Sequence, residues 1–125
     1  VYTTHPDKGG PNLGMYRLHL HDASSTGMHW QIGKGGGFHY AVAEARGQAL
    51  PATVFLGGPP ALILSAIAPL PENIPEMLLA SLIAGQKLPQ VPGPNGHPHP
   101  LVASAEFALM GTVAPRERKP EGPFG

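Results

Sequence analysis

Apolar and polar positions alternate most clearly from Met15 onward. Met15, Arg17, His19 and His21 fall on one face of an extended segment, and Tyr16, Leu18 and Leu20 on the other. Asp22–Ser25 predicts a hairpin turn, after which Thr26–Ile32 resumes as a strand. Gly33–Gly37 reads as a flexible break, and Phe38–Arg46 as a helix stopped by Gly47. Pro51–Leu56 predicts a short apolar strand with β-branched Thr53 and Val54. Pro59 and Pro60 suit the entry to a helix over Ala61–Ala68 that ends at Pro69. Another helix is expected over Ile74–Ala84, with Pro75 in its first turn and Gly85 as its stop. Val1–Leu13 reads as an entry loop and Lys87–Pro100 as a Pro-rich connector. Leu101–Val113 fits a strand pair or one bent strand, and Ala114–Gly125 a charged tail. Strands outnumber helices and do not alternate with them, so the class is α+β: a small antiparallel barrel or curled sheet with short inserted helices.

Composition adds further constraints. The 125 residues suffice for one domain with its own core, and no internal repeat is visible. Eight basic and eight acidic residues cancel, so no long-range field draws the chain to nucleic acid or an anionic membrane. Only 13% of residues are charged, which fits a surface partly covered by other protein. The absence of Cys excludes disulfides and thiolate metal sites. No apolar run approaches the ~18 residues of a membrane helix, and no signal-peptide pattern opens the chain. A cytoplasmic protein without an integral membrane segment is therefore expected. Residue 1 is Val, which fits a processed or excised chain.

Candidate chemistry lies in the His, Gly and Arg positions. His19 and His21, two apart on a strand, project to one face at the spacing of a cupin-like metal site. The Glu such a site needs is absent from Ala23-Ser24-Ser25-Thr26, which favours a plain polar face. His97 and His99, bracketed by prolines, are expected in solvent. The run Gly33-Lys34-Gly35-Gly36-Gly37 could cradle a phosphate, but it matches no phosphate-loop spacing and reads more simply as a turn. Arg17, mid-strand, is suited to hold a carboxylate in a two-pronged pair. Glu121, in a Pro/Gly-bounded turn, is either a tail carboxylate or a general acid whose ionisation an Arg sets. Glu76, just past Pro75, has a plain reading as a first-turn acid favoured by the helix dipole.

Several ordered motifs together resemble the middle segment of the UbiD family of decarboxylases. They are NLGMYR at 12–17, TGMHWQ at 26–31, FHYAVAEARGQALP at 38–51, LGGPPALILSAIAPLP at 56–71 and PEGPFG at 120–125. The resemblance runs through nearly all of the chain. It implies a single domain over 1–125, similar to the central flavin-binding domain of a longer enzyme and built as a split β-barrel of the flavin-reductase type. It implies prenylated FMN as cofactor and non-oxidative loss of CO2 from an unsaturated or aromatic carboxylic acid. By position, Arg17 would steady the substrate carboxylate and Glu121 would give and take the proton. A barrel wall would bring the two to opposite sides of one flavin-sized hollow. Asn12, Gly14, Met15, Ala66 and Ala68 would line the cofactor. Asn12 and Glu76 would hold a divalent metal, usually manganese, at its phosphate, since oxygen ligands suit a hard cation.

Two departures from the family pattern shape the expectation. Gly33 stands where the family's metal-binding His is expected, which weakens the metal; His29 or His39 would replace it only if the fold brought one near. The chain also stops at Gly125, where a second acid is expected to follow, and lacks the family's flanking domains. It is thus expected to be a cofactor-binding domain cut from its partners, or a homo-oligomer. A non-catalytic flavin-binding or dimerisation module is the alternative, and a cupin-like metalloprotein the third reading.

Overall fold

The computed structural model describes residues 1–31, 33–71 and 73–124. Ile32, the expected end of the second hairpin strand, and Gly125, the expected end of the tail, lie outside the described residues. The elements run β1 (Tyr2–Thr4), β2 (Pro11–Leu13), β3 (Leu18–Leu20), β4 (Thr26–Met28) and α1 (Gly35–Ala45). Then follow β5 (Leu50–Leu56), α2 (Pro60–Ala66), α3 (Glu76–Ala84), β6 (Gln90–Val91), β7 (Leu101–Val102) and β8 (Phe107–Val113).

The main sheet has the order β2-β1-β5-β8, with antiparallel neighbours throughout. β5 is its spine, buried from Ala52 to Val54, and alternation along it divides the core. Leu50 joins Tyr40 and Ala43 of α1 on one face, with Trp30 and Val113 against them. Phe55, five residues on and so on the opposite face, packs with Leu13, Leu62, Ala80, Leu88 and Val102. Helix α1 thus covers one side of the sheet, and α2, α3 and the connector the other. Two small antiparallel ladders, β3–β4 and β6–β7, complete a mixed α/β fold with three α-helices among the described residues.

Several sequence expectations are corrected. Val1–Leu13 is not a loop but the β1–β2 hairpin, turned by Gly9 in the left-handed region at φ 67°. Its three-residue strands are too short for alternation to register, and Pro11 is tolerated because β2 is an edge strand. Helix α1 starts at Gly35, three residues earlier than expected. The Gly36 N–H donates to the Tyr16 hydroxyl at 2.9 Å, and a Cβ on Gly36 would crowd both Tyr16 and Trp30. Helix α2 gives out at Ala66, since Ile67 and Ala68 turn back on the carbonyls of Leu64 and Ser65 in a tighter coil before Pro69. Helix α3 starts at Glu76 rather than Ile74 because the residue before Pro75 is pushed out of the helical region. The expected stops at Gly47 and Gly85 stand, both at positive φ.

His99 is not solvated. It is 1% exposed, with Nδ1 3.1 Å from the Thr53 hydroxyl, Nε2 3.4 Å from that of Thr4, and the Tyr2 ring edge-on at 5.0 Å. The Pro-rich connector therefore docks against the sheet rather than standing in water. His97 is only half-buried, and its Nδ1 accepts the His99 N–H at 3.3 Å. The charged tail is pinned as well: Arg118 reaches Glu44 of α1 at 2.8 Å and lies over the Tyr40 ring. That anchor fixes the direction in which the chain continues toward Glu121.

Candidate functional site

The β3–β4 hairpin builds the first half of the site. Asp22 closes its turn, accepting the Ser24 N–H at 2.9 Å and the Ser25 hydroxyl at 2.6 Å, which hold its carboxyl at about 2. The register Leu18↔Met28 follows, and the His29 N–H donates to the Arg17 carbonyl at 3.0 Å just beyond the ladder. Arg17 and His29 therefore stand opposite each other and share the face that carries His19 and His21. The last two rings stack, with centroids 4.6 Å apart. Parallel rings do not converge two lone pairs on one metal, and among the described residues no group of three or more His, Cys, Asp or Glu is placed to hold an ion.

The C-terminal segment lies across this face. Arg17 donates from Nε to Glu121 Oε1 at 2.6 Å and from Nη2 to Oε2 at 3.1 Å, a two-pronged pair across 104 residues. His29 Nδ1 is 2.6 Å from the same Oε2. The Gly122 N–H donates to His19 Nδ1 at 3.1 Å, and Phe124 sits under the Arg17 guanidinium at 4.9 Å. The Arg17 guanidinium, with His29 behind it, holds the Glu121 carboxyl down at about 2. Glu121 raises Arg17 in turn. The expectation of a hollow between Arg17 and Glu121 is corrected: the two groups touch, on an open face where Arg17 is 55% exposed. Hollows of about 420 Å³, beside Glu44 and Arg118, and about 610 Å³, beside Leu78 and Leu82, lie elsewhere.

The remaining candidates gather around the end of β2. Leu13 donates its N–H to Glu76 Oε2 at 3.0 Å, so the first turn of α3 abuts the residue after Asn12. The Asn12 side chain lies against Gly35, where any Cβ would collide with its amide, and Asn12 Nδ2 is buried without a partner. The glycine run is thus the first turn of an 11-residue helix, whose leading N–H groups favour an anion. An orphaned buried amide beside a glycine-only helix start fits the phosphate end of a flavin. Gly14 is tied to Val1 by backbone hydrogen bonds of 2.7 and 2.9 Å, and Met15 is exposed. Ala66 packs on the cluster that contains Leu13, and Ala68 lies two residues on, half-buried.

The donor set fits a metal less well. Asn12 and Glu76 offer oxygens, but Gly33 offers no side chain and sits at φ 81° with open space around it. His29 is committed to Glu121, and His39 is buried with Nδ1 2.9 Å from the Thr3 hydroxyl. Neither replaces the missing imidazole. The residue that sequence reasoning passed over is His29, considered only as a metal substitute. The signal was available: a turn at Asp22–Ser25 pairs residue 17 with residue 29.

Residues 1–125 match the family described as UbiD: 3-octaprenyl-4-hydroxybenzoate carboxy-lyase Rift-related domain. The chain is 54% identical over its full length to an uncharacterized protein of Chlamydia trachomatis and 52% identical to a Chlamydia pneumoniae protein named as one subunit of a 4-hydroxybenzoate decarboxylase. It covers 22% and 21% of those proteins, so it spans about a fifth of the curated relatives it matches. Among solved structures it is similar to the UbiD-class enzyme HmfF from Pelotomaculum thermopropionicum in complex with FMN, with a TM-score of 0.92 and 27% identity. That match covers 99% of this chain and 27% of the other. The vanillic acid decarboxylase of Sedimentibacter hydroxybenzoicus, in closed form, matches with a TM-score of 0.90 and 27% identity, over 99% of this chain and 27% of that one.

Proposed function

The chain belongs to the UbiD family, and from that premise we propose that it is the flavin-binding domain of a decarboxylase acting on unsaturated or aromatic carboxylic acids. The observation that carries this reading is the two-pronged contact between Arg17 and Glu121. Arg17 spends Nε and Nη2 on Glu121, and its Nη1 makes no hydrogen bond among the described residues, which leaves that edge for a substrate carboxylate. Binding there would orient the scissile C–C bond and fix the acid beside Glu121. When CO2 leaves, Glu121 would deliver a proton to the carbon it vacates. Prenylated FMN, when bound, supplies the electron sink for that carbon. Asn12, Gly35 and the first turn of α1 would hold its phosphate, and Gly14, Met15, Ala66 and Ala68 would border its ring. Residues 1–125 would form one domain whose sheet and flanking helices are read as a split barrel of the flavin-reductase type.

Exposed Leu64 on α2, Ile67 just past its end, and Leu78, Leu82 and Ile83 on α3 support burial against further protein: flanking domains or a second copy. No helix among the described residues is long and apolar enough to cross a membrane, and a cytoplasmic location belongs to the same proposal.

The test uses the full-length protein that carries this chain, produced with prenylated FMN and offered a panel of aromatic and α,β-unsaturated acids. CO2 release is expected, and Glu121→Gln should abolish it while the visible flavin spectrum persists. A flavin-loaded protein that decarboxylates nothing would instead be the non-catalytic binding module.

A further inference from the structure

His29 Nδ1 and Glu121 Oε2 lie 2.6 Å apart. An unprotonated imidazole nitrogen and a carboxylate oxygen both present lone pairs, so that separation is attractive only with a proton on the line between them. Arg17 Nη2, at 3.3 Å from the same nitrogen, donates to Oε2 and cannot also donate to an Nδ1 that carries its own hydrogen. A proton on Nδ1, directed at Glu121, satisfies the short contact and leaves Arg17 Nη2 to donate to Oε2. The imidazole is 42% exposed, and its Nε2 makes no hydrogen bond among the described residues, which leaves that side of the ring open to water. One nitrogen faces the acid and the other the solvent.

The proposed chemistry creates a need for such a group. A carboxylate clamped by a guanidinium is a poor store for a proton. Yet each turnover removes one from it, because CO2 departs and a C–H bond forms in its place. Histidine is the side chain suited to exchange protons near neutral pH. We propose that His29 is a positioning residue that acts through Glu121, holding its carboxylate and returning to it the proton consumed in each turnover. The His29 Nδ1–H bond breaks as a Glu121 O–H bond forms, and that O–H bond breaks as the substrate C–H bond forms; the neutral imidazole then recovers its proton from water. One solvent proton replaces one CO2 per cycle. The charged groups in contact with the ring are Arg17, at 3.3 Å, and Glu121 from the C-terminal segment, at 2.6 Å; His19 lies on the same hairpin face, two residues along from Arg17.

This inference rests on the decarboxylase reading, and its experiment separates the two. His29→Asn in the full-length flavin-loaded protein keeps an N–H donor for Glu121 but cannot ionise. It is expected to lower kcat at least about tenfold, with KM and the flavin spectrum unchanged, and to remove an ionisation from the alkaline limb of the kcat–pH profile. In the flavin-free protein, the His29 Nδ1–H proton should give a downfield ¹H signal that moves upfield in Glu121→Gln, because the charged acceptor of its short hydrogen bond is gone. A His29→Asn enzyme with the parent's kcat and pH profile overturns the inference while leaving decarboxylation intact. So does an Nδ1–H signal that is absent, or that is indifferent to Glu121→Gln. A parent that releases no CO2 sinks the decarboxylase reading and the proton-return role with it. The Nδ1–H signal still decides whether the pair shares a proton.

Discussion

His99 and Thr53 meet at the centre of the sheet, ring nitrogen to hydroxyl at 3.1 Å, in a place with almost no access to water. Thr3 and His39 repeat the arrangement on the opposite face at 2.9 Å. Each face of the β1–β5 pair thus encloses a Thr–His contact, and each imidazole is satisfied while neutral.

Acid should therefore loosen the fold in a defined window. Burial, reinforced by His97, pushes His99 down to about 4, and burial with His5 nearby does the same to His39. In the unfolded chain both would titrate near 6.5. The folded state binds fewer protons than the unfolded one between those values, so stability is full above about pH 6.5 and falls as pH drops toward 4. Linkage sets a ceiling of roughly 3 kcal/mol per imidazole. Glu121, lowered in the folded state, contributes to the slope only from about pH 4.5 downward. Urea melts from pH 8 to pH 4 should show the loss, and His99→Asn should flatten it. A His99→Asn slope equal to the parent's would mean the buried ring does not control acid stability.

How much of this was legible depended on the length of each local signal. The Met15–His21 alternation correctly grouped Arg17, His19 and His21 on one face, and the hairpin turn at Asp22–Ser25 was in place. Gly47 and Gly85 marked their helix ends because a left-handed stop is a local property of the backbone. The β1–β2 hairpin and the burial of His99 were not legible. Three-residue strands carry no period, and whether a Pro-bracketed histidine faces water is decided by a sheet face formed 46 and 95 residues earlier in the chain. The glycine run misled for a related reason. Glycine opposes helix formation, and only Tyr16, Trp30 and Asn12, brought up by packing, explain why glycines begin α1.

That conflict gives a test whose sign is informative. Helix propensity alone favours Gly35→Ala by about 1 kcal/mol. The added methyl would instead collide with the Asn12 amide, and overpacking of this kind costs about 1–3 kcal/mol. Close approach is expected to win: a lower thermal midpoint, and flavin retained at least about tenfold more weakly as Asn12 is displaced. A stabilised Gly35→Ala protein with undiminished flavin binding would remove Asn12 and Gly35 from the proposed phosphate cradle.

Gly33→His restores the imidazole that the proposed metal site lacks. Nothing lies within 4 Å of a Cβ at this position, so the side chain has room, but φ is 81°. An L-residue in the left-handed region costs about 1–2 kcal/mol. Tighter manganese binding is therefore expected together with a modest loss of stability, read by calorimetric titration and by melting. Unchanged manganese affinity would show that Gly33 does not face Asn12 and Glu76.

Arg17→Lys separates the charge of Arg17 from its shape. A lysine keeps the positive charge but offers a single ammonium where the guanidinium aligns Nε with one Glu121 oxygen and Nη2 with the other. It also loses the flat face that rests on Phe124 at 4.9 Å. If charge alone matters, Arg17→Lys should stay within a few-fold of the parent. If the two-pronged contact orients Glu121 and leaves Nη1 for the substrate, kcat/KM should fall by about 100-fold, some 2.7 kcal/mol of transition-state stabilisation. The Glu121 carboxyl should also rise from its depressed value, since the Arg17 hydrogen bonds are the largest cause of that depression. The rise is read from the pH dependence of the Glu121 side-chain ¹³C shift. A fall in rate with no such rise would mean that Arg17 acts on the substrate alone and not through Glu121.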